Sequence, residues 1–295
     1  AAHEAWKSWS ETTFAERAEL MRKAAEVLRK EKDEFARIMA LEMGKPLNDG
    51  RGESEKCALV CDYYADNAEK FLADEPFNTD ASKSYAAFRP LGVVLAVMPW
   101  NFPFWQVFRF AAPALMAGNA GVLKHASNVP KCALAIEEVF RKAGFPANVF
   151  RTLMIGSRQV DKVIENPHVK AVTLTGSDIA GRKVAAKAGE MLKKAVMELG
   201  GSDPFVVLED ADLDEAAAVA AKARCINSGQ SCIAAKRFIV VDSIYDEFLE
   251  RFKKNMADLV VGDPLDEKTQ IGPQARDDLM QELHDQVKSS VDKGA

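Results

Sequence analysis

The sequence predicts an α/β fold: a mostly parallel sheet covered by helices, then a second, smaller α/β unit. From Gly92 onward, short apolar runs of strand length alternate with amphipathic stretches of helix length. Near residue 200 the pair Gly200-Gly201 interrupts this rhythm, and a second strand–helix alternation follows. The chain has 295 residues, 48% of them hydrophobic, which is more than one small domain needs. Two domains are therefore expected.

The N-terminus reads as a polar helix, not as a signal peptide. Thr12 or Thr13 stands where a cap is needed for a helix through Phe14, Ala18, Met21, Ala25 and Leu28. The pattern continues through Phe35, Ile38 and Met39 until Gly44-Lys45-Pro46 stops it. A second helical stretch runs from about Leu47 to Leu72. Residues 77–91 read as extended, with Tyr85, Phe88 and a break at Pro90. The strand–helix pairs are then Val93–Met98 with 104–117, Gly121–Leu123 with 131–143, Val149–Ile155 with 158–165, and Val169–Thr175 with 179–190. Past Gly201 come strand Pro204–Leu208, helix 212–224, strand Phe238–Val241 and helix 244–258. There is no internal repeat and no low-complexity segment.

A net charge of −5 and a pI near 5.6 argue against a nucleic-acid surface. The apolar run Val93–Met98 is far too short to cross a bilayer, so no membrane partner is expected. Five cysteines, odd in number and without metal-ligand or disulfide-framework spacing, suit a reducing cytosol and predict no metal.

Cys232 stands apart from the other four cysteines. Gly229, Gln230 and Ser231 make its surroundings polar and turn-like, whereas Cys57, Cys61, Cys132 and Cys225 lie in helical or helix-end patterns and read as small hydrophobes. None of His3, His125, His168 and His284 has a motif that would make it the partner of a thiol nucleophile. Glu198, between Ala195-Val196-Met197 and two glycines, is the better base. At the end of a buried strand its carboxyl would be desolvated and its pKa raised; the alternative is a surface residue at a strand end. Asn101, between Trp100 and Phe102 in a loop fixed by prolines, suits an oxyanion donor or, less specifically, a turn asparagine. Thr175-Gly176-Ser177 closes a strand and opens a helix, with Gly181 following, a place where a pyrophosphate meets backbone N–H groups. It is not the GxGxxG fingerprint. Lys124 ends a short strand, where a ribose hydroxyl or phosphate would meet its ammonium; the alternative is a solvated lysine.

Together, Pro99-Trp100-Asn101-Phe102-Pro103, the Thr175-Gly176-Ser177 turn, Glu198-Leu199-Gly200-Gly201 and Asn227-Ser228-Gly229-Gln230-Ser231-Cys232 resemble the aldehyde dehydrogenase superfamily, in its motif order and with the 232 − 198 = 34 interval. The likeness runs from near residue 5 to the end. Glu198 to Phe205 and Lys124-His125-Ala126 are similar to bacterial NAD(P)-dependent succinate-semialdehyde dehydrogenases. The resemblance implies an aldehyde-dehydrogenase-like fold. Residues 1–76 and 92–200 would form a Rossmann-type cofactor domain, 77–91 an oligomerisation arm, and 201–295 an incomplete catalytic domain.

It further implies the chemistry. Cys232 attacks the aldehyde, Asn101 and the Cys232 N–H hold the oxyanion, and Glu198 activates the water that hydrolyses the thioester. Pro99, Trp100, Lys124, Ser127, Gly176, Ser177 and Leu199 would bind NADP or NAD. Ser127 stands where NAD-preferring members usually carry a glutamate; its alternative is a helix N-cap. Arg109, eight residues after Asn101 on an otherwise apolar helix, would bind the distal carboxylate of a semialdehyde acid, with Trp105 beside it. Arg109 paired to an acidic residue of the same protein is the alternative. The family's second substrate arginine falls at Ile226 here. The partners implied are a small aldehyde and further copies of the chain, as a cytoplasmic dimer or tetramer. Family chains continue into a Glu-x-Phe-Gly-Pro motif and a C-terminal strand, so this chain is expected to be a fragment. The other readings are a dehydrogenase of a different aldehyde, a catalytically silent relative, or a thiol esterase.

Overall fold

The structure is a computed structural model that describes all 295 residues. Contacts divide it into two compact units, Ala1–Phe35 with Arg51–Leu199, and Ala36–Gly50 with Gly200–Ala295.

The chain opens with α1 (Ala2–Trp9) and α2 (Phe14–Lys30). Thr13 caps α2: its hydroxyl accepts the Glu16 N–H at 3.2 Å, and the Glu16 carboxylate accepts the Thr13 N–H at 2.7 Å. Thr12 instead donates to the Trp9 carbonyl at 2.6 Å. Glu31 leaves helical geometry (φ −105°, ψ 15°), so the expected long helix is two, α2 and α3 (Lys32–Met43). Helix α4 (Leu47–Phe71) follows.

Residues 77–91 are not one extended run. Strands β1 (Glu75–Pro76) and β2 (Tyr85–Ala86) pair antiparallel as a small hairpin, with the Phe77 N–H on the Ser84 carbonyl at 2.8 Å. Phe77, Tyr85, Phe88 and Leu91 are exposed there.

The remaining elements of the first unit are β3 (Val93–Met98), α5 (Trp105–Met116), β4 (Ala120–His125), α6 (Pro130–Lys142), β5 (Phe150–Thr152), α7 (Val160–Glu165), β6 (Val169–Thr175), α8 (Asp178–Glu190) and β7 (Lys194–Glu198). Their strands form one parallel sheet in the order β5-β4-β3-β6-β7. The first of these strands, β3, is central; the chain winds outward through β4 and β5, then returns to β6 on the other side. That reversal makes a crevice at the carboxyl ends of β3 and β6, where ligands bind in open α/β sheets. On one face, Val93, Leu95, Val122 and Val172 pack with Ile164 and Val184. Elsewhere in the core, Phe140 stacks near Phe108 (5.2 Å between ring centroids), Phe145 (5.2 Å) and Phe150 (4.7 Å).

Strand β5 is shorter than expected because the chain turns tightly after it, with the Ile155 N–H on the Leu153 carbonyl at 2.8 Å. Strand β7 corrects a larger expectation. It is the sheet edge, paired only to β6, and Lys194, Ala195, Val196 and Glu198 are exposed.

The second unit holds β8 (Pro204–Val207), α9 (Leu213–Cys225), β9 (Arg237–Val240), α10 (Tyr245–Ala257) and α11 (Asp277–Asp292). β8 and β9 pair in parallel, and Val207, Ala217, Ala220 and Phe248 make the buried core under them. Residues 36–50 group with this unit and not with the rest of 1–76, because the Gly44–Pro46 turn docks on a later loop. The Leu47 N–H reaches the Pro264 carbonyl at 3.1 Å, and Gly44 abuts Gly272 and Pro273. No helix is long and apolar enough to cross a membrane.

A Cβ at Gly272 would stand 2.0 Å from the Gly44 carbonyl oxygen, so one backbone segment has to move. Gly272→Ala is expected to lower unfolding free energy by about 1–3 kcal/mol, read as a lower urea midpoint. A midpoint equal to the parent's would mean that this docking contributes nothing.

Candidate active site

The first unit gathers its functional candidates along the carboxyl edge of the sheet. After β3 the chain enters Pro99-Trp100-Asn101-Phe102-Pro103, then α5. Two buried side chains anchor this loop. The Glu53 carboxylate accepts the Phe104 N–H at 2.8 Å and the Trp105 N–H at 2.9 Å. It therefore satisfies two donors at the start of α5 and sits where the helix dipole favours negative charge. His125, at the end of β4, holds the loop from the other side. Its Nδ1 accepts the Ala126 N–H at 2.9 Å, so the proton is on Nε2, which donates to the Pro103 carbonyl at 2.8 Å. Burial pushes the imidazole pKa down to about 4, against the raising effect of its bonds to Pro103 and Met98. The ring is neutral at pH 7. Within the loop, Pro99, Trp100 and Asn101 are half-buried, and the Asn101 Oδ1 accepts the Phe102 N–H at 3.1 Å, which orients the amide.

Lys124 precedes His125 and is buried, not solvated, so desolvation lowers its pKa. An anion placed against it would regain the lost solvation. Ser127 is exposed and does not cap α6; Val129 holds the N-cap position and Pro130 begins the helix. A slot of about 230 Å³ opens here, lined among others by Ser127, Pro130, Ala133, Thr152 and Met154. Mostly apolar walls with the Ser127 hydroxyl among them fit the adenosine end of a dinucleotide.

At the end of β6, the Ser177 hydroxyl caps α8, accepting the Ala180 N–H at 3.3 Å, and the Gly176 N–H bonds the Glu198 carbonyl at 3.0 Å. These two donors are thus engaged within the chain, and Asp178 adds an acidic side chain to the first turn of α8. The turn fits a pyrophosphate less well than the Lys124 edge fits a phosphate. Leu199 packs on Gly181, its Cδ2 2.5 Å from where a Cβ would stand, so a side chain there would have to push Leu199 aside.

Glu198 ends β7 with its side chain 54% exposed, so the expected desolvation is absent. It faces Arg109 instead: Arg109 Nη1 lies 3.7 Å from Glu198 Oε2, and Arg109 Nη2 donates to Thr175 Oγ1 at 3.0 Å. The internal pairing weighed from sequence is thus present. Pro113, four residues on in α5, has no N–H for the Arg109 carbonyl. Trp105 has the Lys56 ammonium 4.0 Å over its ring.

In the second unit, Cys232 follows a left-handed turn. Asn227 and Ser228 have φ near +55° and Gly229 has φ +78°. Two non-glycine residues in this region store strain that the surroundings have to hold. They do so on three sides. Arg224 donates to the Gly229 and Ala235 carbonyls, both at 2.8 Å. Ser228 Oγ accepts the Gly272 N–H at 2.9 Å, and Gln230 Oε1 accepts the Ala275 N–H at 3.0 Å. The Lys236 ammonium donates to the Cys232 carbonyl at 2.7 Å and to Ala234 at 3.1 Å. The Cys232 thiol is half-exposed.

Sequence reasoning placed Asn101, Lys124, the Thr175–Ser177 turn and Glu198 at strand ends, and the sheet brings those ends to one edge. It missed Glu53, His125, Arg224 and Lys236. Nothing in the residues around Glu53 marks it, since a glutamate in a polar helical stretch is ordinary.

The profile of the Aldehyde dehydrogenase family matches residues 1–295. The chain is 55% identical over 294 residues to a probable succinate-semialdehyde dehydrogenase, NADP(+), of Synechocystis sp., covering 100% of this chain and 65% of that protein. It is 53% identical over 287 residues to a succinate-semialdehyde dehydrogenase, NADP(+), of Mycobacterium avium, covering 96% of this chain and 61% of that one. Among solved structures, succinic semialdehyde dehydrogenase from Streptococcus pyogenes in complex with NADP+ superposes with a TM-score of 0.96 at 40% identity, covering 99% of this chain and 65% of that one. The chain thus spans less than two thirds of the length of these relatives. It belongs to the aldehyde dehydrogenase family.

The loop anchors give two expected outcomes. Glu53→Ala strands two N–H groups and is expected to cost about 2–4 kcal/mol in urea unfolding; an unchanged midpoint would show that water replaces the carboxylate. For His125, the folded pKa of about 4 lies below the unfolded 6.5. Its contribution is complete above pH 6.5 and lost as pH falls toward 4, on the order of 3 kcal/mol over that window. His125→Gln should show a shallower loss of stability between pH 6.5 and 4 than the parent; parallel curves would exclude the ring.

Proposed function

We propose that this member of the aldehyde dehydrogenase family carries the nucleophile, the base and the cofactor edge of an NAD(P)-dependent succinate-semialdehyde dehydrogenase. The observation that carries the reading is the common carboxyl edge, where Asn101, Lys124, Thr175 to Ser177 and Glu198 each end or follow a strand of one parallel sheet. The named relatives support the substrate class.

In this reading the Cys232 sulfur adds to the aldehyde carbon, and the carbonyl oxygen becomes an oxyanion held by the Asn101 amide and the Cys232 N–H. Bound NADP or NAD supplies the acceptor for the hydride that leaves this carbon as the thioester forms. Glu198 takes one proton from water, the water oxygen bonds the acyl carbon, the C–S bond breaks, and the carboxylic acid and Cys232 thiolate separate; the acid then loses its remaining proton to solvent. Lys124 and Ser127 hold the adenosine ribose and its 2′-phosphate, with Pro99, Trp100, Gly176, Ser177 and Leu199 toward the rest of the cofactor. The buried Lys124 ammonium and the Ser127 hydroxyl favour NADP, since a carboxylate at 127 would repel the phosphate. Arg109, with Trp105 near it, takes the distal carboxylate of the substrate. The exposed aromatic residues of the 75–91 hairpin support its use as an arm between copies, in a dimer or tetramer. Cysteine usage supports a cytoplasmic location.

Cys232→Ala is expected to abolish NADPH formation from succinate semialdehyde, and Glu198→Gln to let thioester accumulate, seen as a mass increase on the protein. Wild-type turnover in Cys232→Ala would remove the assignment. Ser127→Glu should shift preference toward NAD by about tenfold, the effect of about 1.4 kcal/mol; an enzyme that already prefers NAD tenfold contradicts the role given to Ser127.

A further inference from the structure

We propose that Arg109 is shared between two carboxylates: it tethers Glu198 while no substrate is present, and releases Glu198 when the distal carboxylate of the substrate takes its place. The proposal rests on the reading of Arg109 as the substrate's partner and goes beyond it, because it makes the substrate's own charge the switch that frees the base.

The geometry favours such an exchange. Arg109 Nη2 is fixed by Thr175 Oγ1 at 3.0 Å, which sets the plane of the guanidinium and turns Nη1 toward Glu198. The contact with Glu198, at 3.7 Å, is a loose one, well beyond the roughly 2.7–2.9 Å of a charge-assisted hydrogen bond. The two side chains are 38% and 54% exposed, and pairs so placed hold each other only weakly. A second carboxylate that binds the guanidinium bidentately displaces the first at little cost. The flanking residues of α5 offer Arg109 no competing acid: Phe108 is buried, and Phe110, Ala111 and Ala112 are apolar.

The consequence lies in the deacylation step. A carboxylate turned to Arg109 is not turned to water, so it does not accept the proton of an attacking water. An uncharged aldehyde forms its thioester with Glu198 still tethered for most of the time. Succinate semialdehyde binds Arg109 and leaves Glu198 unbound from the outset. Arg109 in this role is a positioning residue for the base, as well as a contact for the substrate.

The test compares succinate semialdehyde with butanal in wild-type enzyme and in Arg109→Gln, by stopped-flow NADPH absorbance followed into the steady state. Wild-type enzyme on butanal should show a burst of NADPH and then a slower steady rate, the mark of limiting deacylation. In Arg109→Gln that steady rate should rise by up to about fivefold, the equivalent of about 1 kcal/mol, while KM for succinate semialdehyde rises. If KM for succinate semialdehyde rises but the butanal rate is unchanged or falls, Arg109 binds substrate and the exchange is overturned. No burst on wild-type butanal overturns it equally. Equal losses on both substrates mean that Arg109 is structural and overturn the substrate reading as well. Should Arg109→Gln not fold, Arg109→Ser carries the same comparison with the charge likewise removed.

Discussion

The Glu53 carboxylate, far from any strand end in the sequence, holds the loop that leaves β3 at the carboxyl edge of the sheet. A helix start leaves its first N–H groups without partners, and a helix start beside a ligand crevice is where these donors do most harm if left buried and unmet. α5 has no side-chain cap of its own; Glu53, more than fifty positions earlier, takes the Phe104 and Trp105 donors instead. With that end secured, His125 needs only one bond to the Pro103 carbonyl to pin the loop between β3 and α5. The direction in which α5 carries Arg109 follows.

The two units solve the positioning of reactive groups differently. In the first, the strands are stiff and the side chains hang from their ends, so placement comes from sheet register. In the second, Cys232 stands after a turn with three consecutive left-handed residues, and placement comes from a network that holds strained backbone. Arg224 and Lys236 are central there because a cation can serve two carbonyls at once, as each of them does. A lost carbonyl acceptor in a regular strand affects one bond; a lost Arg224 would release both ends of the Cys232 loop.

What was legible in the sequence was local. The alternation after Gly92 gave the strands of the main sheet nearly to the residue for Val93–Met98 and Val169–Thr175, since a parallel strand covered on both faces is apolar along most of its length. The choice between Thr12 and Thr13 lay within reach of the capping-box rule, as Glu16 stands three residues after Thr13. What was not legible depends on distance along the chain. Nothing near Glu53 says which helix it caps. Nothing in Ala195-Val196-Met197 says that β7 is an edge, because an apolar run reads the same whether one or two strands flank it. The exposure of Glu198 and its pairing with Arg109 follow from that unseen edge. The docking of the Gly44–Pro46 turn on residues 264–273 is likewise a matter of tertiary contact, which moved residues 36–50 out of the unit the sequence assigned them to.

The distribution of thiols has a practical consequence. Cys57, Cys61 and Cys132 are fully buried, and burial raises the Cys61 pKa further, whereas Cys225 and Cys232 are half-exposed. Because only the thiolate alkylates, the first unit is chemically silent while folded. A brief pulse of iodoacetamide would therefore mark that unit only in molecules whose core has opened. Peptide mass spectrometry at Cys57, Cys61 and Cys132 then becomes a clock for breathing of the sheet, built into the chain without any engineered label.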